Sequence, residues 1–175
     1  MQILETKFKD LLVFENNIFS DKRGELRKYF ISDIFTDIDF KIDDIYTTSS
    51  KNNVIRGMHH QIQPHGQSKL VSCLKGSFID VALDLRKDSM TYGEHFTYEL
   101  KSKENKAVLV PPGFSHATIS LADDTIMLSI CSGKYLPQYE NGVDVRSIGL
   151  DMDLSRCIIS EKDTSLPTLQ EILNA

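Results

Sequence analysis

The sequence predicts an all-β protein built as one sandwich or barrel. Between residues 68 and 132, short extended runs are separated by turn residues at a spacing typical of sandwiches and barrels. From Phe78 to Arg86, apolar residues occupy every second position, and a period of two belongs to a strand. Neither a G-x-G-x-x-G nor a G-x-x-x-x-G-K phosphate loop occurs, which disfavours a parallel α/β nucleotide-binding fold.

The predicted elements follow one another between turn signals. The predicted strands are LLVFEN and ELRKYFI, which flank the turn FSDKRG, and then SKLVSCL, FIDVALDLR, EHFTYEL, KAVLVPP, GFSHATISL and TIMLSICS. The segment ISDIFTDI predicts a short peripheral helix. TSLPTLQEILNA predicts a C-terminal helix, because it offers hydroxyl caps, has a proline suited to the first turn and sets Leu169, Ile172 and Leu173 on one side.

Size and composition predict a single domain over residues 1–175. A chain of 175 residues buries one sizeable core and is too short for two comfortable domains. Its 41% hydrophobic and 26% charged residues are ordinary for a globular protein. The net charge of -5 and the interspersed lysines and arginines argue against a nucleic-acid partner. No apolar stretch approaches the roughly 20 residues that span a bilayer, so no membrane partner is expected.

The cysteines and the N-terminus predict a cytoplasmic protein. Cys73, Cys131 and Cys157 are odd in number and form no C-x-x-C pair, which argues against a disulfide framework or a zinc knuckle. Acids and lysines interrupt the apolar residues of MQILETKFKDLLVFENN, so this segment lacks the apolar core of a signal peptide. We expect a reducing compartment, with Cys73 and Cys131 as small buried residues.

A dense polar cluster occupies residues 54–71. VIRGMHHQIQPHGQSKLV holds three of the five histidines, together with an arginine, three glutamines and a lysine. If His59 lies on a strand, Gln61 shares its face and His60 points the other way, so the adjacent histidines are not expected to line one pocket. His59 is therefore the candidate site residue, and His60 and His65 are predicted to be surface or satisfied loop residues.

Motifs along nearly the whole chain match one family. RGMHHQ, followed by Gln67 and KLV, resembles the RGLHxQ...QxKLV stretch of dTDP-4-dehydrorhamnose 3,5-epimerases. FSDKRGEL, FIDVALDLRKDSMTYGEH, PPGFSHA and ISEKDTSLPTL are similar to further motifs of that family, in the same order. The resemblance implies a cupin-type jelly-roll barrel that usually dimerises. It also implies a nucleotide-diphosphate 4-keto sugar as substrate, with no cofactor and no metal.

Site residues follow from the resemblance position by position. It implies that His59 is the general base, Asp163 its hydrogen-bonded carboxylate and Lys69 the cation beside the keto oxygen. The predicted substrate-binding residues are Arg23, Arg56, Gln61, His116, Ser129 and Tyr135. These residue types suit the chemistry, since a hydrogen next to a ketone is removable only by a poised base with a stabilised enolate oxygen.

Several assignments have structural alternatives. Asp163 also suits the cap of the terminal helix, Arg23 an ordinary hairpin charge and Lys69 an exposed strand position. Asp80 and Asp84 alternate with core residues, so they either line the cavity mouth or face solvent.

The sequence departs from the family pattern at the proton donor. In TIMLSICSGKYLP, Tyr135 and Pro137 align with a later pair, which puts Ser129 where the family has a catalytic tyrosine. A serine hydroxyl is far less acidic than a phenol and does not simply replace it. We therefore expect inversion at C3, with C5 left open.

The substrate is also expected to differ. DDIYTTSS departs from the family's Q-x-N-x-S, and the chain contains no tryptophan. These changes suggest another nucleotide or sugar, such as a GDP-linked 4-keto heptose, in the biosynthesis of cell-surface polysaccharide.

Four alternatives remain open. The first is a dTDP-4-dehydrorhamnose 3,5-epimerase proper. The second is a metal-binding cupin, disfavoured because His59 and His60 are adjacent and no glutamate follows before Glu94. The third is a ketoisomerase of the same barrel group, which usually has histidine where Gln61 stands. The fourth is a sugar-nucleotide binding protein without catalysis.

Overall fold

Thirteen strands, two short α-helices and three 3-10 turns account for the regular structure of residues 2–175, the part of the chain that the computed structural model describes. The strands are β1 (Gln2–Glu5), β2 (Leu12–Glu15), β3 (Ile18–Asp21), β4 (Gly24–Arg27), β5 (Asp44–Ser50), β6 (Ile55–Gln61), β7 (Ser68–Lys75), β8 (Ser77–Asp84), β9 (His95–Lys101), β10 (Lys106–Val110), β11 (Phe114–Ser120), β12 (Thr125–Ser132) and β13 (Glu140–Gly142). The helices are α1 (Glu161–Thr164) and α2 (Leu169–Leu173). The prediction of an all-β protein is confirmed.

Two antiparallel sheets form the body of the molecule. One has the strand order β1-β2-β10-β7-β12-β5 and the other β13-β6-β11-β8-β9. The strands β7 to β12 lie where the sequence predicted them. Their positions were predictable because a strand with a buried face has an apolar residue at every second position.

Apolar clusters lie between the sheets and on the outer side of each. Val71 and Cys73 of β7 meet Phe78 and Ala82 of β8 between the sheets. Val81 and Leu83 of β8 belong instead to a cluster that includes the chain after β13. A third cluster packs aromatic residues from the 30–40 segment onto the outside of the six-stranded sheet. The sheets are therefore covered on both sides.

This double coverage decides where Asp80 and Asp84 lie. Both carboxylates are fully buried, so the solvent-facing alternative is wrong. Burial by itself raises the pKa of Asp84, but hydrogen bonds from Arg86, Ser89 and Thr91 outweigh it and lower the pKa to about 2.

The N-terminal pairing differs from the prediction. FSDKRG is part of a separate hairpin, in which Ile18–Asp21 pairs with Gly24–Arg27. The strand at LLVFEN pairs with β1 and β10 instead of with ELRKYFI. ISDIFTDI forms a single 3-10 turn, Ser32–Phe35, that buries Phe35.

The C-terminal helix is present, with a different start. Thr168 caps α2 and forms a capping box with Glu171, so Pro167 precedes the cap and does not enter the first turn. Leu169 and Ile172 pack on the outer cluster of the five-stranded sheet. The cysteines are free, and Cys73 and Cys131 are buried as predicted. None of the helices in residues 2–175 is long and apolar enough to cross a membrane.

Candidate active site

The predicted polar residues gather at a cavity between the two sheets. Two adjoining parts of this cavity, which we call the inner and the outer part, measure about 290 and 450 Å³ respectively, and His59, Lys69 and Tyr46 line both. Larger grooves of about 650 and 710 Å³ lie elsewhere and have no histidine in their walls. Because proton chemistry needs a titratable base, we assign the site to the cavity around His59.

His59 and Asp163 form a close pair. His59 Nε2 lies 2.7 Å from Asp163 Oδ1, and the buried carboxylate also accepts from the Gly57 backbone N–H at 3.2 Å. Ser160 caps α1, and Thr168 caps α2, so Asp163 is not the cap of the terminal helix. Its side chain is instead directed to the imidazole.

This pairing determines which imidazole nitrogen is free. An ionised carboxylate only accepts hydrogen bonds, so Nε2 carries the proton and donates to Asp163. Nδ1 then holds a lone pair, and Glu140 Oε1 lies 4.0 Å from it. Burial acts to raise the pKa of Glu140, but the hydrogen bond from Lys162 at 2.5 Å outweighs it, so the pKa falls below its ordinary value. In this tautomer Nδ1 is the ring nitrogen that does not face Asp163.

Lys69 lies on the inner face of β7. Its register partner is Cys131 on β12, and it alternates with Val71 and Cys73, which point between the sheets. Burial lowers the pKa of the Lys69 ammonium, although the negative charges around it, such as Glu140, oppose the shift. The exposed-strand alternative is therefore wrong.

A second histidine–carboxylate pair lies beside the first. His116 on β11 is the register partner of His59, and its Nε2 lies 2.7 Å from Asp80 Oδ2. His116 is 8% exposed and lines the 450 Å³ part of the cavity. Among the described residues, Asp80 Oδ1 has no hydrogen-bond partner.

Two cations flank the outer part of the cavity. Arg56 is exposed and donates to Ser50 Oγ at 3.0 Å and to the Ser49 carbonyl at 2.9 Å. Lys162 on α1 lines the same part of the cavity and pairs with Glu140. Arg56 was predicted from the sequence, whereas Lys162 was missed. The only feature of the sequence that points to Lys162 is its position next to Asp163.

Gln61 and Tyr135 line the inner part of the cavity. Both amide hydrogens of Gln61 go to backbone carbonyls, those of His65 and Lys134, so this side chain holds the loop between β12 and β13. Tyr135 is 52% exposed, and its hydroxyl donates to Glu140 at 3.3 Å.

His60 departs from the prediction for adjacent histidines. It lines the inner part of the cavity together with His59, so the prediction that only one of them does so is wrong. Alternation along β6 is interrupted, since Ile55 and Met58, three residues apart, belong to one outer cluster. His60 Nδ1 lies 3.2 Å from Ser115 Oγ, and burial, with the charges of Lys69 and His59, lowers its pKa to about 4.

Arg23 and Ser129 occupy contrasting places. Arg23 lies at the tip of the β3–β4 hairpin, where its 84%-exposed side chain pairs with Asp21, and it does not reach this chain's own cavity. Ser129 is fully buried, and its register partner on β5 is Tyr46. Tyr46 was missed, although alternation in DIYTTSS would have grouped it with Asp44 and Thr48 on one face.

Donor groups for a metal do not converge anywhere in residues 2–175. No group of three or more histidine, cysteine, aspartate or glutamate side chains in this range is arranged to hold a metal ion.

Comparison with known proteins gives a consistent result. A model of the dTDP-4-dehydrorhamnose 3,5-epimerase family matches residues 5–171. The dTDP-4-dehydrorhamnose 3,5-epimerase of Escherichia coli is 32% identical over 181 residues, which cover 99% of this chain and 97% of that protein.

Solved structures agree. The enzyme of the same name from Elizabethkingia anophelis has a TM-score of 0.89 at 30% identity, covering 98% of this chain and 97% of that one. ChmJ, a 3'-monoepimerase from Streptomyces bikiniensis in complex with dTDP-quinovose, has a TM-score of 0.87 at 29% identity, covering 95% and 88%.

Fold and site together define a carbohydrate isomerase of the cupin jelly-roll class. More particularly, the chain belongs to the dTDP-4-dehydrorhamnose 3,5-epimerase family, and it is a nucleotide-sugar epimerase. The predicted resemblance, jelly-roll fold and isomerase class are confirmed. Membership of this family sets aside the metal-binding cupin and the ketoisomerase as alternatives.

Proposed function

We propose that this protein inverts C3 of a dTDP-linked 4-keto sugar through an enolate. The observation that carries the proposal is the 2.7 Å contact between His59 Nε2 and Asp163 Oδ1 at a cavity that Lys69 also lines. This arrangement supplies a base with a fixed tautomer and a cation in the walls of one cavity.

The first step is removal of the hydrogen next to the ketone. His59 Nδ1 takes the proton, and the resulting imidazolium is stabilised by Asp163. Lys69 stabilises the negative oxygen that forms at C4, in a site where partial burial strengthens the charge interaction. A positioned base of this kind contributes about 10²- to 10⁴-fold in rate.

The nucleotide diphosphate is assigned to the outer part of the cavity. Arg56 presents a planar set of donors there, and Lys162 and His116 lie in the same walls. The relatives are named for dTDP-linked sugars, so the prediction of a GDP-linked 4-keto heptose finds no support in them. We therefore propose a dTDP-linked substrate.

Inversion at C3 alone rests on Ser129. The family includes relatives named as 3,5-epimerases and as 3-epimerases, so both outcomes occur on this fold. Ser129 is buried and is no substitute for a phenol at this position of β12, so a proton donor, if present, is differently placed from the family pattern, which favours the single inversion. A 3,5-epimerase proper is the second candidate.

Assembly as a homodimer is part of the proposal. Ile3, Leu4, Phe19 and Leu26 expose apolar side chains on β1 and the β3–β4 hairpin. A hairpin of two strands has little stability alone, and a second chain would bury these residues. Because Arg23 does not reach its own cavity, a substrate contact by Arg23 requires that the hairpin reach the partner's cavity.

The proposed setting is the biosynthesis of cell-surface polysaccharide in the cytoplasm. The three cysteines are free in the described structure, and a reducing compartment keeps them so.

Proton NMR in D₂O tests the function. With dTDP-4-keto-6-deoxyglucose, we expect deuterium to enter C3 faster than C5, and we expect slower exchange with GDP-linked 4-keto sugars. His59→Asn should slow the C3 exchange about 10²- to 10⁴-fold. His95→Asn, on the distant strand β9, is the matched control and should exchange normally. Absence of exchange with every nucleotide-linked 4-keto sugar would exclude the epimerase, and normal exchange in His59→Asn would exclude this base.

A further inference from the structure

Inversion at a carbon needs two groups on opposite faces of the planar enolate, one that removes a proton and one that returns it. His59 is on β6 of the five-stranded sheet, and Tyr46 is on β5 of the six-stranded sheet. Both side chains line both parts of the cavity between these sheets. A sugar ring held there has His59 on one side and Tyr46 on the other.

The strand register shows that Tyr46 points into the cavity. Residues opposite each other on antiparallel strands share a face, and Tyr46 is opposite Ser129. Ser129 alternates with Met127 and Cys131 on the inner face of β12. Two residues further along β12, Cys131 is the register partner of Lys69 on β7. Tyr46 and Lys69 therefore lie on the same face of the sheet, on the two strands that flank β12.

The small side chain at position 129 leaves room for the phenol. Ser129 is fully buried, its hydroxyl lies 3.4 Å from Cys131 Sγ, and Tyr46 is its register partner on the neighbouring strand. A larger residue at position 129 would project on the side of the sheet that Tyr46 also faces.

We infer that Tyr46 is the catalytic acid, which delivers a proton to the ring face opposite His59. The inference rests on the proposed function. The phenol O–H bond breaks as the new C–H bond forms, and the enolate returns to the ketone. The step leaves a tyrosinate and a protonated His59. Water then supplies one proton to the former and accepts one from the latter, so the cycle is balanced without an oxidant or a reductant.

The other groups of the cavity fit this role less well. Tyr135 is 52% exposed against 38% for Tyr46, and its hydroxyl is already engaged with Glu140. His60 is on the same strand as His59, and its low pKa leaves it without an acidic proton at neutral pH. Lys69 serves the enolate oxygen. Partial burial raises the pKa of Tyr46, so its phenol carries the proton at neutral pH.

The variant Tyr46→Phe tests the acid step independently of the base step. Loss of the hydroxyl should lower formation of the inverted product about 10²-fold or more, while wash-out of the C3 hydrogen into D₂O continues, because His59 still forms the enolate. Tyr139→Phe is the matched control, since Tyr139 stacks on His65 outside the cavity walls. Thermal melting checks the fold, and Tyr46→Gln is a second variant that supplies no acidic proton.

The results distinguish failure of the inference about Tyr46 from failure of the proposed function. Inverted product at the normal rate in Tyr46→Phe overturns the inference, and so does equal loss of wash-out and product in a folded variant. Loss of product with continued wash-out in Tyr135→Phe, but not in Tyr46→Phe, assigns the acid to Tyr135. If the unmodified protein shows neither wash-out nor product with any nucleotide-linked 4-keto sugar, the proposed function fails and the inference falls with it.

Discussion

Lys69, which the proposed mechanism places beside the enolate oxygen, illustrates at the scale of a residue how a buried charge costs stability. An ammonium held on the inner face of β7 opposite Cys131 has lost much of its hydration, and its lowered pKa reports that cost. The charge is useful because an enolate oxygen gains more from it in such surroundings than in water. The position is therefore expected to trade stability for rate.

Lys69→Met should make the protein more stable and nearly inactive. The apolar side chain fills similar space without a buried charge, so we expect a higher melting temperature at pH 7. Wash-out of the C3 hydrogen should fall about 10²- to 10³-fold, because enolate stabilisation is lost. Differential scanning calorimetry and the D₂O exchange assay check the two parts.

The pH dependence of this gain has a defined sign. The folded pKa of Lys69 lies below its ordinary value of 10.5, so in the window between the folded and unfolded values the unfolded chain binds more protons. Stability of the unmodified protein rises with pH through that window, and the advantage of Lys69→Met shrinks there. Lys101→Met, on the surface of β9, should show no such trend. A Lys69→Met variant that is less stable at pH 7 would contradict the argument from burial.

At the scale of an element, β6 depends on Gly57 to bring the two histidine pairs together. Gly57 has φ of +107°, and a Cβ there would overlap the carbonyl oxygen of His116. Its N–H also donates to Asp163. The strand therefore passes close to β11 at the point where His59 and His116 are register partners.

Gly57→Ala should damage both stability and activity. Gly149 also has a positive φ, of +75°, but a Cβ there meets nothing within 4 Å. Gly149→Ala therefore isolates the backbone cost of about 1 kcal/mol, and Gly57→Ala should exceed it clearly because the contact with β11 must also open. Urea unfolding and the exchange assay measure the two effects. Equal losses of stability in the two variants would show that the close approach is unimportant.

The strands were predictable to the extent that they bury one face. The strands β7 to β12 show an alternation of apolar residues in the sequence. The pairing at the N-terminus could not be predicted in this way, because β2 pairs with β10, which is distant in the sequence, and leaves β3 and β4 to pair with each other. Sequence also gave no sign that both faces of β8 are covered, because Asp80 and Asp84 are as polar as residues that face water.

The whole molecule brings the site together from distant parts of the chain. His59, Lys69 and Asp163 were predictable because local motifs identify them. Tyr46 and Glu140 were not, since their relevance comes only from the packing of β5 and β13 beside β12 and β6. Long-range register of this kind is set by the fold and leaves no local signal.

At the scale of the whole molecule, we predict that the β3–β4 hairpin of one chain completes the substrate cavity of its partner. In the proposed dimer, Arg23 of one chain acts at the cavity of its partner, so Arg23→Glu and His59→Asn chains should each be weakly active alone. Mixed and refolded together, they form dimers in which one cavity has an intact His59 and receives an intact Arg23. Random pairing should restore about a quarter of the unmodified activity, because half of the dimers are mixed and each has one complete site.

Analytical ultracentrifugation of the same samples establishes that dimers form. Lys22→Glu, beside Arg23 on the hairpin, is the control for the change of charge and should retain activity before mixing. If the mixture stays as inactive as its components while dimers are present, Arg23 does not act across the interface. Because its side chain is exposed and far from its own cavity, the substrate-binding assignment of Arg23 would then also be lost.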